Sequence, residues 1–150
     1  MTLATEQNEW SRTRSEPSSL HDDELEVHQR ISTLAAAIRN KNVAQVLSHY
    51  SPEVVAYDML PPLEVHGIAA YRHNLETWFA SMSGRINYQM MDLHISAGDE
   101  FAFCHCLSHV TGARTGGGRA DYWVRVSSGW RKVNGEWLVA HEHVSMPTMM

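Results

Sequence analysis

The sequence predicts an α+β fold, with three N-terminal helices laid over a strongly bent, mainly antiparallel sheet. Three observations carry this. Apolar residues recur at helical spacing through the first half of the chain. Long strand-like segments fill the second half, and short turn signals such as Asn134-Gly135 separate them. Helices followed by an antiparallel meander is an α+β order.

The elements follow in chain order. Residues 1–18 are rich in Ser, Thr, Glu and Gln, which predicts a mobile arm ahead of a single domain over 19–150. Ser19, with Asp22 three residues on, marks a helix start, and Asp22, Asp23 and Glu24 suit the positive end of its dipole. Leu25, Ile31, Leu34, Ala35 and Ile38 give that helix one apolar face, ending near Asn40-Lys41-Asn42. Val43, Val46, Leu47 and Tyr50 predict a short second helix, closed by Ser51-Pro52. A strand spans 53–58, and Pro61-Pro62 makes a rigid turn. Gly67 opens a third helix over about 68–82, with Tyr71, Leu75, Trp78 and Phe79 on its apolar side. Strands follow over 85–96, 100–112, 119–133 and 136–145. Such a sheet needs a cover that only the helices can supply, and a curved sheet under helices leaves a cone-shaped cavity, a natural small-molecule site.

Composition narrows the function. The 150 residues are 43% hydrophobic and 19% charged, as in ordinary globular proteins. A net charge of −5 argues against sequence-independent nucleic-acid binding. No run reaches the ~18 apolar residues of a membrane span. Residues 1–17 lack the apolar core of a secretory signal, so a cytoplasmic location is expected. Cys104 and Cys106, two apart on one strand, read as reduced thiols. The ten histidines allow a large charge change between about pH 7 and 5.

The chain closes on Trp137-Leu138-Val139-Ala140-His141-Glu142-His143-Val144-Ser145-Met146-Pro147. With the element order, this segment resembles the NTF2-like superfamily, within it the SnoaL-like and ketosteroid-isomerase-like proteins, over about residues 22–147. It is also similar to the tail of the association domain of calmodulin-dependent kinases, where His-x-His-x-Ser precedes a Pro. The resemblance implies a cone-shaped barrel. It leaves the activity open, because the superfamily holds isomerases, cyclases, dehydratases, epoxide hydrolases and proteins without catalysis. The base of the ketosteroid isomerases is a strand-end Asp nine residues before the Gly that opens the third helix, a spacing matched by Asp58 and Gly67. The positions of their two oxyanion donors fall on Leu34 and Ser127, neither of which can serve as the original does. The resemblance therefore implies acid–base chemistry by something other than a true steroid isomerase.

Asp58, beside Met59, Leu60 and two prolines, is the candidate base, since a partly apolar mouth raises a carboxylate's basicity. A turn-capping Asp is the structural alternative. His105 is the candidate proton partner, with Phe103 beside it as a ligand contact. Strand counting points both into the cavity and turns Cys104 and Cys106 away; a core histidine satisfied by backbone is the alternative. His109 shares that face nearer the rim. Counting from Asn134-Gly135 aims Ala140, Glu142 and Val144 inward and His141 and His143 outward, unless a bulge reverses them. Trp78, Glu142 and Ser127 complete the expected ligand contacts. Trp78, Trp123, Trp130 and Trp137 read mostly as core. Arg125 needs a carboxylate such as Asp121, Glu142 or one across an interface. His105, His141 and His143 could suit zinc, but no carboxylate fourth ligand shares their face. Neither metal nor cofactor is expected. The Gly116–Gly118 loop opens no helix and is not a phosphate cradle. The leading function is a small-molecule enzyme doing acid–base chemistry on an apolar substrate. A ligand-binding protein without turnover and an association module are the alternatives. The expected partners are a small apolar molecule and a second copy of the chain, seated on an exposed sheet face carrying Val124, Val126 and Val139.

Overall fold

The computed structural model describes residues 18–150, so the arm expected over 1–18 lies, but for its last residue, outside them. The elements are α1 (Ser18–Arg39), α2 (Val43–Leu47), β1 (Tyr50–Tyr57), β2 (Val65–His66), α3 (Gly67–Ser81), β3 (Met82–Ala97), β4 (Phe101–Arg114), β5 (Arg119–Val133) and β6 (Glu136–Ser145). The sheet has six strands in the order β2-β1-β6-β5-β4-β3. Only β1 and β6 pair in parallel. This is the α+β cone of the NTF2-like fold.

Each helix forms for a local reason and stays for a packing reason. α1 buries Val27, Ile31, Leu34, Ala35 and Ile38, while Leu25 is left half exposed. Burying side chains of this size contributes about 1.5–3 kcal/mol each. The chain turns at Lys41, whose φ is 55°, and its Nζ donates to the Phe79 and Met82 carbonyls. Asn42 caps α2, its Oδ1 accepting from the Gln45 amide at 3.1 Å. α2 ends earlier than its apolar spacing predicts. Tyr50 opens β1 instead, because it pairs with Val139 of β6, and the Val139 amide donates to the His49 carbonyl at 2.8 Å. A ladder made at long range outweighs the weak local preference of a five-residue helix.

The bend comes from irregularities in the strands. β3 shifts register between Met91 and His94, with Asp92 at φ 55°. β6 carries a one-residue bulge, since Trp130 pairs with Val139 while Gly129 pairs with His141, leaving Ala140 unpaired. The β5–β6 turn at Asn134-Gly135 has φ of 51° and 79°, the primed geometry that Asn-Gly favours. The concave face packs Ile86, Val110, Trp130, Trp137 and Val139 beneath α1 and α3. Trp137, 1% exposed, is the largest fully buried side chain, and truncating it to Ala costs about 3–5 kcal/mol.

Alternation along β4 is the reverse of what the sequence predicts. Ala102, Cys104, Cys106, Ser108 and Val110 are buried, whereas Phe101, Phe103 and Leu107 are exposed. The concave side of a sharply bent sheet has little room, so it takes the small residues, and the bulky ones turn outward. On β5 and β6, Val124, Val126 and Val139 likewise line the interior rather than the outer face, and Trp123 lies outside, 45% exposed.

Candidate functional site

Between α1, α3 and the sheet lies a hollow of about 580 Å³. Its walls are mostly apolar, with Leu34, Ile38, Trp78, Val124 and Trp130 among them. Trp78 projects from α3, and its Nε1 donates to the Tyr122 hydroxyl at 3.1 Å, joining the helix to β5. Deeper in, Ser108 donates to the Tyr88 hydroxyl at 3.0 Å. Cys104 and Cys106 are free thiols on the wall, and burial pushes Cys104 up to about 12, so it is inert as a nucleophile near neutral pH.

The polar part of the wall is one cluster. Glu142 of β6 accepts from Tyr50 of β1 at 2.5 Å on Oε1 and from Tyr71 of α3 at 2.9 Å on Oε2. The two tyrosine hydroxyls are themselves 2.7 Å apart. Three oxygen–oxygen contacts therefore share two phenolic protons, and each hydroxyl can donate only once. An ionised Glu142 takes both protons and leaves the tyrosine pair without one. A protonated Glu142 supplies the third, and the ring closes. Burial raises the Glu142 pKa above the usual carboxylate value, and the nearby Asp58 charge adds to that, against the two phenolic hydrogen bonds. Burial, then the Glu142 charge, holds both phenols well above their ordinary value, so they remain donors.

Asp58 follows the end of β1 on the same wall. Its Oδ1 accepts from the Met59 amide at 2.7 Å, and its Oδ2 from Asn74 Nδ2 at 3.3 Å. Asn74, 9% exposed, stands one helical turn after Tyr71 on α3, so one helix face serves both carboxylates. The bulge at Ala140 lets Trp137 and Val139 point inward on one side of it and Glu142 and Val144 on the other.

The remaining predicted residues separate. Trp78 and Glu142 line the hollow beside Asp58. Phe103 and Ser127 do not join them, and His105 borders both the hollow and the outer depression. The reversed alternation of β4 puts Phe103 and the exposed His105 on the outer side, where His105 stacks on His94 with ring centroids 4.9 Å apart. Ser127 pairs with His105 across β5 and faces the same outer depression, while Ser128 takes the inward place. His109 bonds Asp121 at 2.7 Å and lies flat on Trp123. His141 is structural, its Nδ1–H donating to the Val55 carbonyl at 2.6 Å. Arg125 is exposed and bonds Ser145, so its charge needs no buried carboxylate. Among the described residues, no three His, Cys, Asp or Glu side chains converge on a metal-binding arrangement, and no helix is long and apolar enough to cross a membrane.

Comparison with known proteins agrees with this architecture. A SnoaL-like domain matches residues 27–149. The chain belongs to the SnoaL-like family. An NTF2-like protein of unknown function from Pseudomonas putida KT2440 is 26% identical, with 85% of this chain and 88% of that one covered and a TM-score of 0.77. A candidate dehydratase of the NTF2-like family from Streptomyces avermitilis superposes at a TM-score of 0.76, with 14% identity over 87% and 99% of the two chains. The association domain of CaMKII from C. elegans superposes at 0.66, with 17% identity over 85% and 98%. At such identities the last two share the fold alone. No curated protein matches.

In this SnoaL-like chain, sequence reasoning missed Tyr50, Asn74 and the polar use of Tyr71. Tyr71 and Trp78 lie two turns apart on the helix face that meets the sheet, which reads as core. The available signal was chemical: a buried tyrosine needs a partner for its hydroxyl.

Proposed function

We propose that this SnoaL-like protein is an acid–base enzyme acting on a small apolar substrate that carries a carbonyl group. The observation behind this reading is that Asp58 and the Tyr50–Tyr71–Glu142 cluster share the wall of one apolar hollow. Asp58, fixed by Met59 and Asn74, takes a proton from the carbon next to the carbonyl. The electron pair moves onto the carbonyl oxygen, which accepts a hydrogen bond from the Tyr71 hydroxyl in place of the one Tyr71 gives within the cluster. Asp58 then returns its proton to another carbon, which is an isomerisation, or to a β-hydroxyl as its C–O bond breaks and water leaves, which is an elimination. A donor absent at Leu34 and Ser127 is thereby supplied from another element, and donors of this kind usually lower the barrier more than any other group in an active site.

The test is a panel of cyclic enones and β-hydroxy ketones, followed optically. Asp58→Asn is expected to lower turnover at least about 100-fold while leaving the melting temperature nearly unchanged. Full turnover in that variant sinks the proposal. Binding without turnover across the panel favours the ligand-binding reading.

A second observation favours assembly. Phe103, Leu107 and Trp123 stand on the outer sheet face at 55%, 41% and 45% exposure. We infer that a second copy covers this face, since several large apolar side chains exposed on one sheet face mark contacts. Sedimentation of the full chain tests it, and a monomer at all concentrations refutes it.

A further inference from the structure

We propose that this outer face carries a proton-operated release for the pairing proposed above, on which the inference rests: a row of imidazoles that a second copy covers while they are neutral and repels once they are charged. The register draws the row. His94 pairs with His105, His105 with Ser127, Ser127 with His143, and His143 with Tyr57, across five strands. His94 and His105 stack at 4.9 Å and 26°. Tyr57 meets the rings of His141 and His143 edge-on at 4.8 and 5.5 Å. His94, His105 and His143 are exposed, and the bulky apolar residues Phe103, Leu107 and Trp123 flank them.

The occupant follows from the chemistry of the row. A neutral imidazole has one donor and one acceptor nitrogen, so a row of them is complementary to its own image. An isologous twofold contact presents that image and no other surface. Protonation converts every ring to a donor and sets positive charge against positive charge across the twofold contact. The other charged groups on this face do not cancel the change. Asp92 of β3 and Arg125 of β5 border the depression that holds His94 and His105, and they offset each other. His109 of β4 is already matched to Asp121 of β5 at 2.7 Å, and His66 of β2, which pairs with Val55 beside His141, is likewise matched to Glu64. Arg131 of β5 lies over Phe101, 5.3 Å from the ring centre. Glu53 of β1 is exposed mid-strand, short of Tyr57, and Arg119 of β5 and Glu136 of β6 are exposed at strand ends, all away from the middle of the row. Acidification thus adds uncompensated positive charge at the middle of the contact. Dissociated copies bind more protons than the pair, so affinity falls as pH falls.

Sedimentation velocity of the full chain at about pH 8 and about pH 5.5, over a concentration series, tests this. The expected result is a dimer at the higher pH whose dissociation constant rises at least about tenfold at the lower one. The variant His94→Gln/His105→Gln, which leaves His143 alone of the three exposed imidazoles to charge, is expected to lose most of the response, with circular dichroism confirming its fold, and His109→Gln is expected to keep the full response. A dimer with the same affinity at both pH values, or an undiminished response in the double variant, overturns the release alone. A monomer at both pH values overturns the pairing and the release together.

Discussion

The Tyr50 hydroxyl meets Glu142 Oε1 at 2.5 Å although 92 residues separate them. Their strands, β1 and β6, are the parallel pair of the sheet, and this contact ties that pair to the floor of the hollow. Tyr50→Phe keeps the ring and removes the donor. Loss of one hydrogen bond to a buried carboxyl is expected to cost about 1–3 kcal/mol in urea unfolding. Because the Tyr50 bond favours the ionised form, the Glu142 pKa is expected to rise further in this variant, read by carboxyl NMR. An unchanged titration would separate the two groups.

Asn74 aims Asp58. Asn74→Leu leaves Oδ2 without its protein donor and frees the carboxylate to rotate. Turnover is expected to fall about tenfold, mainly in kcat, because the base loses orientation rather than identity. Asn74→Ser, which keeps a hydroxyl donor, is expected to recover part of it. Equal losses in both variants would argue against positioning.

The two sides of the pH–stability curve have different owners. Glu142 is raised above its ordinary 4.5, chiefly by burial, so over the window above 4.5 the folded state holds a proton the unfolded chain has released. Its stabilisation is complete below 4.5 and is lost as pH rises through the raised value. His49, 2% exposed, is lowered from 6.5 by burial, against the bond its Nδ1–H makes to the Gln45 carbonyl. Its contribution is complete above 6.5 and is lost as pH falls through the lowered value. Glu142→Gln is expected to flatten the alkaline side of the curve and His49→Leu the acid side, in unfolding midpoints measured across about pH 4–8.

Filling the hollow separates ligand binding from folding. Val124, 4% exposed, points into the hollow from β5. Val124→Trp occupies that space and is expected to weaken binding of a neutral fluorescent probe such as Nile red at least about tenfold. The melting temperature is expected to hold or rise if the new ring finds a void. Undiminished binding would place the probe elsewhere.

Much of the fold was legible because its signals are local. Asn134-Gly135 marked its hairpin, and the limits of β5 and β6 fell where the strand patterns stop. The spacing from Asp58 to Gly67 located a strand-end carboxylate that does line the hollow. Which side β4 turns inward was not legible, because both its faces are apolar: Phe101, Phe103 and Leu107 on one, Ala102, Cys104 and Cys106 on the other. Size decided it, and size matters only once the sheet is known to bend sharply. Tyr50 was hidden for a similar reason. Its neighbours read as helix, and only the distant Val139 makes it a strand residue.

The unpaired Ala140 has an outcome that reaches past the shape of its strand. Give that residue a ladder place of its own, with no bulge, and every side chain from His141 onward changes sides. The acid would leave the interior and two imidazoles would take its place among the greasy walls. Whether this cavity has any acid on β6 is therefore decided by the bulge in the last strand as much as by its letters, and a relative with the same letters in an unbroken ladder would carry the same motif inside out.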